Sequence, residues 1–146
     1  MKKFFQNLKF LIEYILLRVL FIIVHTLPIN ITSKFGAIVF RLLGRLSKSH
    51  ITAIQNCHFV FPHLTNKEVR YIVLKSWENL GKTIFELGIL KKILNTNNLI
   101  QTEGLHNIKE ILEKKTPTIF FGIHHSNWEI GLPILDRIGM NVGGIY

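Results

Sequence analysis

The chain has 146 residues, 48% of them hydrophobic and only 18% charged, and eighteen Lys and Arg against nine Asp and Glu give a net charge of +9. That length holds one domain or part of one, and with a mean hydropathy of +0.29 it excludes a disordered polyelectrolyte and argues against a freely soluble protein. The basic balance suits anionic lipid head groups, an acidic protein partner or nucleic acid, and charge alone does not choose among them. A single cysteine, Cys57, forms neither an internal disulfide nor a Cys-based zinc cluster, and is expected to be a small buried hydrophobe.

From Phe4 to Leu27 an apolar run follows Lys2-Lys3 and closes at Pro28; as a helix it spans roughly 36 Å, enough to cross a bilayer core. Lys9, Glu13, Arg18 and His25 interrupt it, and each charge at bilayer depth costs roughly 2.5–3.5 kcal/mol on insertion scales. Residues 1–28 are therefore expected to form a membrane anchor, either a transmembrane helix or a helix lying at the interface with Leu11, Ile15, Leu16, Leu20, Ile22 and Ile23 in lipid. A buried core helix and a cleaved signal peptide remain alternatives, although no small-x-small cleavage site follows the run. Lys2, Lys3 and Lys9 place the N-terminus on the cytoplasmic side by the positive-inside tendency.

Thr32-Ser33 suggest a cap for a helix from Lys34 to about Leu46, whose Arg41 and Arg45 join Lys48, His50 and the earlier basic residues in a collar suited to anionic head groups or simply to water. A helix over Ile51–Phe59 should end before Pro62. Thr65-Asn66-Lys67-Glu68 is a capping-box signature that opens a long helix with Val69, Val73, Trp77, Leu80, Ile84 and Leu87 as its apolar stripe and Trp77 as a core residue. The stripe has room to continue to Leu94, and Asn95 to Asn98 break it as a loop.

The rhythm then changes. Leu99–Glu103 is expected as a short strand, Gly104 as a turn, Leu105–Lys114 as a helix, and Pro117–Ile123 as an apolar strand covered on both faces. The polar turn from His124 to Glu129 leads into a helix over Ile130–Ile138, and Asn141–Tyr146 begins another turn or strand. The expected fold class is α/β: an N-terminal membrane-associated helix, a helical segment, and the start of a βαβ sheet.

The polar turn is where chemistry is expected, because ligands of open α/β sheets gather beyond the carboxyl ends of strands. With Ser126 as N-cap, Glu129 falls at N3 and its carboxylate can fold back to an imidazole N–H, orienting a histidine as general base for an alcohol attacking an acyl carbon. Pattern alone also allows an ordinary capping box beside two surface histidines. Zinc is disfavoured because two adjacent histidines and one Glu lack ligand spacing, and a serine hydrolase because Ser126 lacks a Gly-x-Ser-x-Gly elbow.

Gly122-Ile123-His124-His125-Ser126-Asn127-Trp128-Glu129 closely resembles the His-x4-Glu block of the late acyltransferases of lipid A biosynthesis, the lauroyl/myristoyl transferase family, in which the motif often reads His-Tyr-Gly-Asn-Trp-Glu. The resemblance makes His124 the catalytic histidine and Glu129 its carboxylate partner, with His125, Ser126, Asn127 and Trp128 supporting the motif. The N-terminal helix, the stretch from Asn56 to Pro62 and the Glu103-Gly104-Leu105 turn also have family counterparts. The resemblance implies transfer of a fatty acyl chain from acyl carrier protein to a hydroxyl of a Kdo-bearing lipid A precursor at the cytoplasmic face of the inner membrane. It implies no metal or redox cofactor and no nucleic-acid partner, and its fold would be a glycerolipid acyltransferase-like sheet.

Gly144-Ile145-Tyr146 resembles the approach to a Tyr-Arg block whose arginine does not follow, so residues 29–146 are expected to be the N-terminal part of an acyltransferase domain. Such a chain would be inactive alone, or would need a separate C-terminal half. A glycerolipid or lysophospholipid acyltransferase is the alternative, disfavoured because that group generally carries Asp where this chain has Glu129. A non-catalytic membrane-bound remnant of a split or truncated enzyme is the third.

Overall fold

The computed structural model describes residues 2–114, 116–123 and 125–143. Seven α-helices follow one another among the described residues: α1 (Lys2–Thr26), α2 (Ile29–Gly44), α3 (Lys48–Val60), α4 (Asn66–Gly88), α5 (Leu90–Leu94), α6 (Leu105–Lys114) and α7 (Gly131–Arg137), with a single 3₁₀ turn at Trp128–Ile130 before α7.

The centre of the molecule is the packing of α2 along α4. It depends on two glycines whose backbones meet. A Cβ on Gly81 would lie 2.7 Å from the Gly36 carbonyl carbon and from Phe40 Cβ, with the Gly36 oxygen nearer still; a Cβ on Gly36 would meet Phe85 and the Gly81 oxygen in the same way. Around this crossing Phe85 takes Phe35 and Phe40 edge-on, with centroids 5.7 and 6.5 Å away. Val24, Ile89 and Ile93 complete one buried cluster with Phe85. Cys57, Val69 and Val73 form a second where α3 meets α4, with Ala53, Ile54, Leu64 and Trp77 packed on it. Each fully buried Val, Ile or Phe contributes about 1.5–3 kcal/mol over its exposed state.

The capping box expected at Thr65 is present. Glu68 N–H donates to Thr65 Oγ1 at 3.4 Å, and Glu68 Oε2 accepts from Thr65 N at 2.8 Å and Thr65 Oγ1 at 2.7 Å. Those bonds from Thr65 hold the Glu68 carboxyl below its ordinary value. Cys57 is buried as expected, and Trp77 lies half-buried with its indole N–H donating to His50 Nδ1 at 3.1 Å. Between α2 and α4, Glu78 accepts from Arg41 and from Lys75; Lys75 first and Arg41 after it hold the Glu78 carboxyl below its usual range.

Four expectations are corrected. The α/β fold is overturned: the structure is 72% helical and no strand forms among the described residues. Leu99–Glu103 and Pro117–Ile123 are irregular or extended chain, and neither pairs with a neighbour there. An apolar run becomes a strand only when an adjacent strand takes its N–H and C=O groups. Without one, Ile119, Phe121 and Ile123 stand 81%, 97% and 80% exposed.

The transmembrane helix is overturned as well. No helix among the described residues is long and apolar enough to cross a membrane, because every 18-residue stretch of α1 contains Lys9, Glu13 and Arg18. Third, α2 begins at Ile29, immediately after Pro28, rather than at Lys34. Thr32 is consequently inside the helix, fully buried, and its hydroxyl donates to Val24 O at 3.2 Å instead of capping. Fourth, Ser126 is not a helix cap, as its geometry below shows.

Candidate active site

Three polar residues of α4, Asn79, Thr83 and Glu86, follow at steps of four and three and so share one face of the helix. The polar turn lies over that face. The Ser126 carbonyl accepts from Thr83 Oγ1 at 3.3 Å and Asn79 Nδ2 at 3.4 Å. Asn127 Nδ2 donates to Glu86 Oε2 at 2.6 Å, while the other carboxylate oxygen, Oε1, accepts from Ser33 Oγ of α2 at 2.6 Å. The turn is thereby tied to both helices of the central pair.

The turn backbone is unusual. Ser126 has φ 51°, in the left-handed region that non-glycine residues seldom occupy. His125 N–H donates to Ile123 O at 2.8 Å, and the 3₁₀ turn that follows is capped at Asn127 without a side-chain bond. Ser126 therefore presents its carbonyl to α4, and the Ser126–Glu129 capping box expected from the spacing does not form. Asn127 Oδ1 is buried and has no hydrogen-bond partner among the described residues.

Of the expected site residues, His124 lies outside the described residues; the approach to a Tyr-Arg block expected at Gly144, Ile145 and Tyr146 lies outside them too. Glu129 is half-buried in the 3₁₀ turn beside half-buried Trp128, and His125 is exposed. An open cleft of about 430 Å³ lies elsewhere, against His25, Lys91, Lys92 and Asn95, and contains none of the motif residues. Among the described residues no group of three His, Cys, Asp or Glu is placed to hold a metal ion.

Sequence reasoning missed Ser33, Asn79, Thr83 and Glu86. The sequence carried no signal for them, since polar residues beside an apolar stripe ordinarily bond to water, and only the fold buries Thr83 and so demands a partner for it. Thr83 is 1% exposed and finds its acceptor in the turn.

Comparison with known proteins agrees with the motif. The chain matches the bacterial lipid A biosynthesis acyltransferase family over residues 1–146. It is 26% identical over 133 residues to the lipid A biosynthesis lauroyltransferase of Escherichia coli (strain K12), an alignment that covers 87% of this chain and 41% of that protein. The chain thus spans less than half the length of that curated relative. No solved structure matches it. A match along its whole length, with the His-x4-Glu block inside it, makes this chain a member of the bacterial lipid A biosynthesis acyltransferase family.

Proposed function

We propose that the protein transfers a fatty acyl chain from acyl carrier protein to a hydroxyl of a Kdo-bearing lipid A precursor, with His124 as general base and Glu129 as its orienting carboxylate. The observation that carries this reading is the family match over the full chain, motif included. In the reaction His124 takes the acceptor hydroxyl proton as that oxygen attacks the thioester carbonyl. The C–S bond then breaks, and the thiolate leaving group takes the proton back from the imidazolium. Glu129 selects the histidine tautomer and stabilises its cationic form. Thioester chemistry of this kind uses no metal or redox cofactor.

The surface supports a substrate of this class. A net charge of +9 attracts both an acidic carrier protein and a phosphorylated lipid. α1 exposes Phe10, Leu11, Ile15, Leu16, Ile22 and Ile23 along its length, while Val24 is buried. This arrangement favours a helix seated in the membrane interface, bringing the enzyme to an acceptor that stays in the bilayer at the cytoplasmic face of the inner membrane. Lauroyl transfer from acyl carrier protein to the Kdo-bearing precursor, measured in membranes carrying the enzyme, tests the proposal. Transfer should be lost in His124→Ala, and wild-type transfer by that variant would overturn the assignment.

A further inference from the structure

We infer that Glu86 is the positioning residue of this site: anchored by Ser33, its carboxylate holds Asn127 and so fixes the turn that joins His124 to Glu129. The inference rests on the acyltransferase reading above and extends it to a helix far from the motif in sequence.

The geometry is specific at each atom. The Asn127 amide nitrogen donates to Glu86 Oε2 at 2.6 Å, which fixes the orientation of that side chain. The second oxygen is occupied by Ser33 Oγ, also at 2.6 Å, so the carboxylate cannot rotate without losing a bond. Among the described residues Glu86 makes no ion pair. Its carboxylate is half-buried between neutral donors, an arrangement that strengthens those bonds because no cation competes for them. One and two turns earlier on α4, Thr83 and Asn79 hold the Ser126 carbonyl. Glu86 thus grips the side chain of the residue after Ser126, while its helix grips the strained backbone at Ser126 itself.

The consequence concerns reach rather than chemistry. In the sequence Asn127 falls between His124 and Glu129, and a motif segment that slid on α4 would carry the base and its carboxylate out of register with the acyl carbon. A misplacement near 1 Å is enough to cost about 100-fold in rate. Glu86 touches no reacting atom in this account and acts through Asn127.

The test is a donor–acceptor exchange in the membrane-bound enzyme. Asn127→Asp sets two carboxylates against each other and should lower kcat about 100-fold with the KM for the acyl donor little changed. It should also speed amide hydrogen exchange across residues 125–130. Combining it with Glu86→Gln rebuilds the bond in reverse: the introduced amide oxygen accepts from Ser33, and the introduced amide nitrogen donates to the carboxylate now carried by the turn. In the double variant kcat should recover by about tenfold or more and exchange should slow again. Wild-type kcat in Asn127→Asp, or a double variant no better than the single, overturns the inference. Faster exchange with unchanged kcat also overturns it, while leaving the His124 assignment intact. Failure of that assignment is read separately, from full turnover by His124→Ala, which disturbs neither Glu86 nor Asn127.

Discussion

Gly81→Ala should destabilise the protein even though it replaces the poorest ordinary helix former but proline with the best. In an exposed helix the change would gain about 1 kcal/mol. Here the new Cβ would lie 2.7 Å from the Gly36 carbonyl carbon, and ordinary contact begins near 3.4 Å, so α2 and α4 must part by at least about 0.7 Å. The obstacle is backbone and cannot swing aside. Overpacking of this kind costs about 1–3 kcal/mol and more where backbone blocks relaxation, so the net effect should be a loss of about 2 kcal/mol. For a chain of this size that lowers Tm by roughly 8 °C. Parting the helices also stretches the Ser33–Glu86 bond, so the turn should loosen with the core. Thermal unfolding in detergent, monitored by circular dichroism, measures the effect, and Gly36→Ala should match it because the contact is mutual. A raised Tm in Gly81→Ala would refute the close crossing.

Gly44→Ala should act more mildly, because its Cβ would meet the Trp77 ring, 2.6 Å from Cγ, which can turn away at the expense of the bond to His50; Trp77 fluorescence in this variant should shift, and an unchanged spectrum would count against the contact. Acid should weaken the α2–α4 pair through Glu78. Its carboxyl is held below the ordinary value near 4.5, so its contribution is fully present above that pH and is lost as pH falls through the lowered folded value. Chemical denaturation across that range should show a stability drop that Glu78→Gln removes, and an identical drop in the variant would exclude Glu78 as its source. Deleting residues 1–27 should release the protein from anionic vesicles, whereas about 1 M salt should not, because salt screens the basic surface but leaves apolar burial intact; release of the intact chain by salt alone would show that charge dominates.

Local rules made much of the helical part legible. Thr65 and Glu68 announced the start of α4 because a capping box is satisfied within four residues. The span Leu105–Lys114, opened by Gly104 at φ 73°, also matched. The apolar stripe of α4 was legible as far as Trp77 and then misleading. Hydrophobicity points to Leu80, Ile84 and Leu87, yet Ile84 and Leu87 are exposed while Gly81 and Phe85 are buried. The helix follows steps of four because a glycine, which carries no hydrophobic signal, allows α2 to approach there. Pro117–Ile123 was misread for the opposite reason: composition reports that a segment is apolar, whereas a strand exists only with a partner. At the site, the block from His124 to Glu129 was legible as a mark of the family to which the chain belongs. Its supports on α2 and α4 were not, because Ser33 and Glu86 stand 53 residues apart and meet only through the fold.

The central claim, that His124 and Glu129 act as one unit in acyl transfer, is tested most directly by a double-mutant cycle on lauroyl transfer from acyl carrier protein to the lipid A precursor. His124→Ala should lower kcat by about 10²–10⁴, the range of a lost general base, and Glu129→Ala by less. Because the carboxylate works only through the imidazole, the double variant should be no slower than His124→Ala alone. Independent losses that multiply in the double variant would contradict the dyad, as would a His124→Ala enzyme that turns over at the wild-type rate.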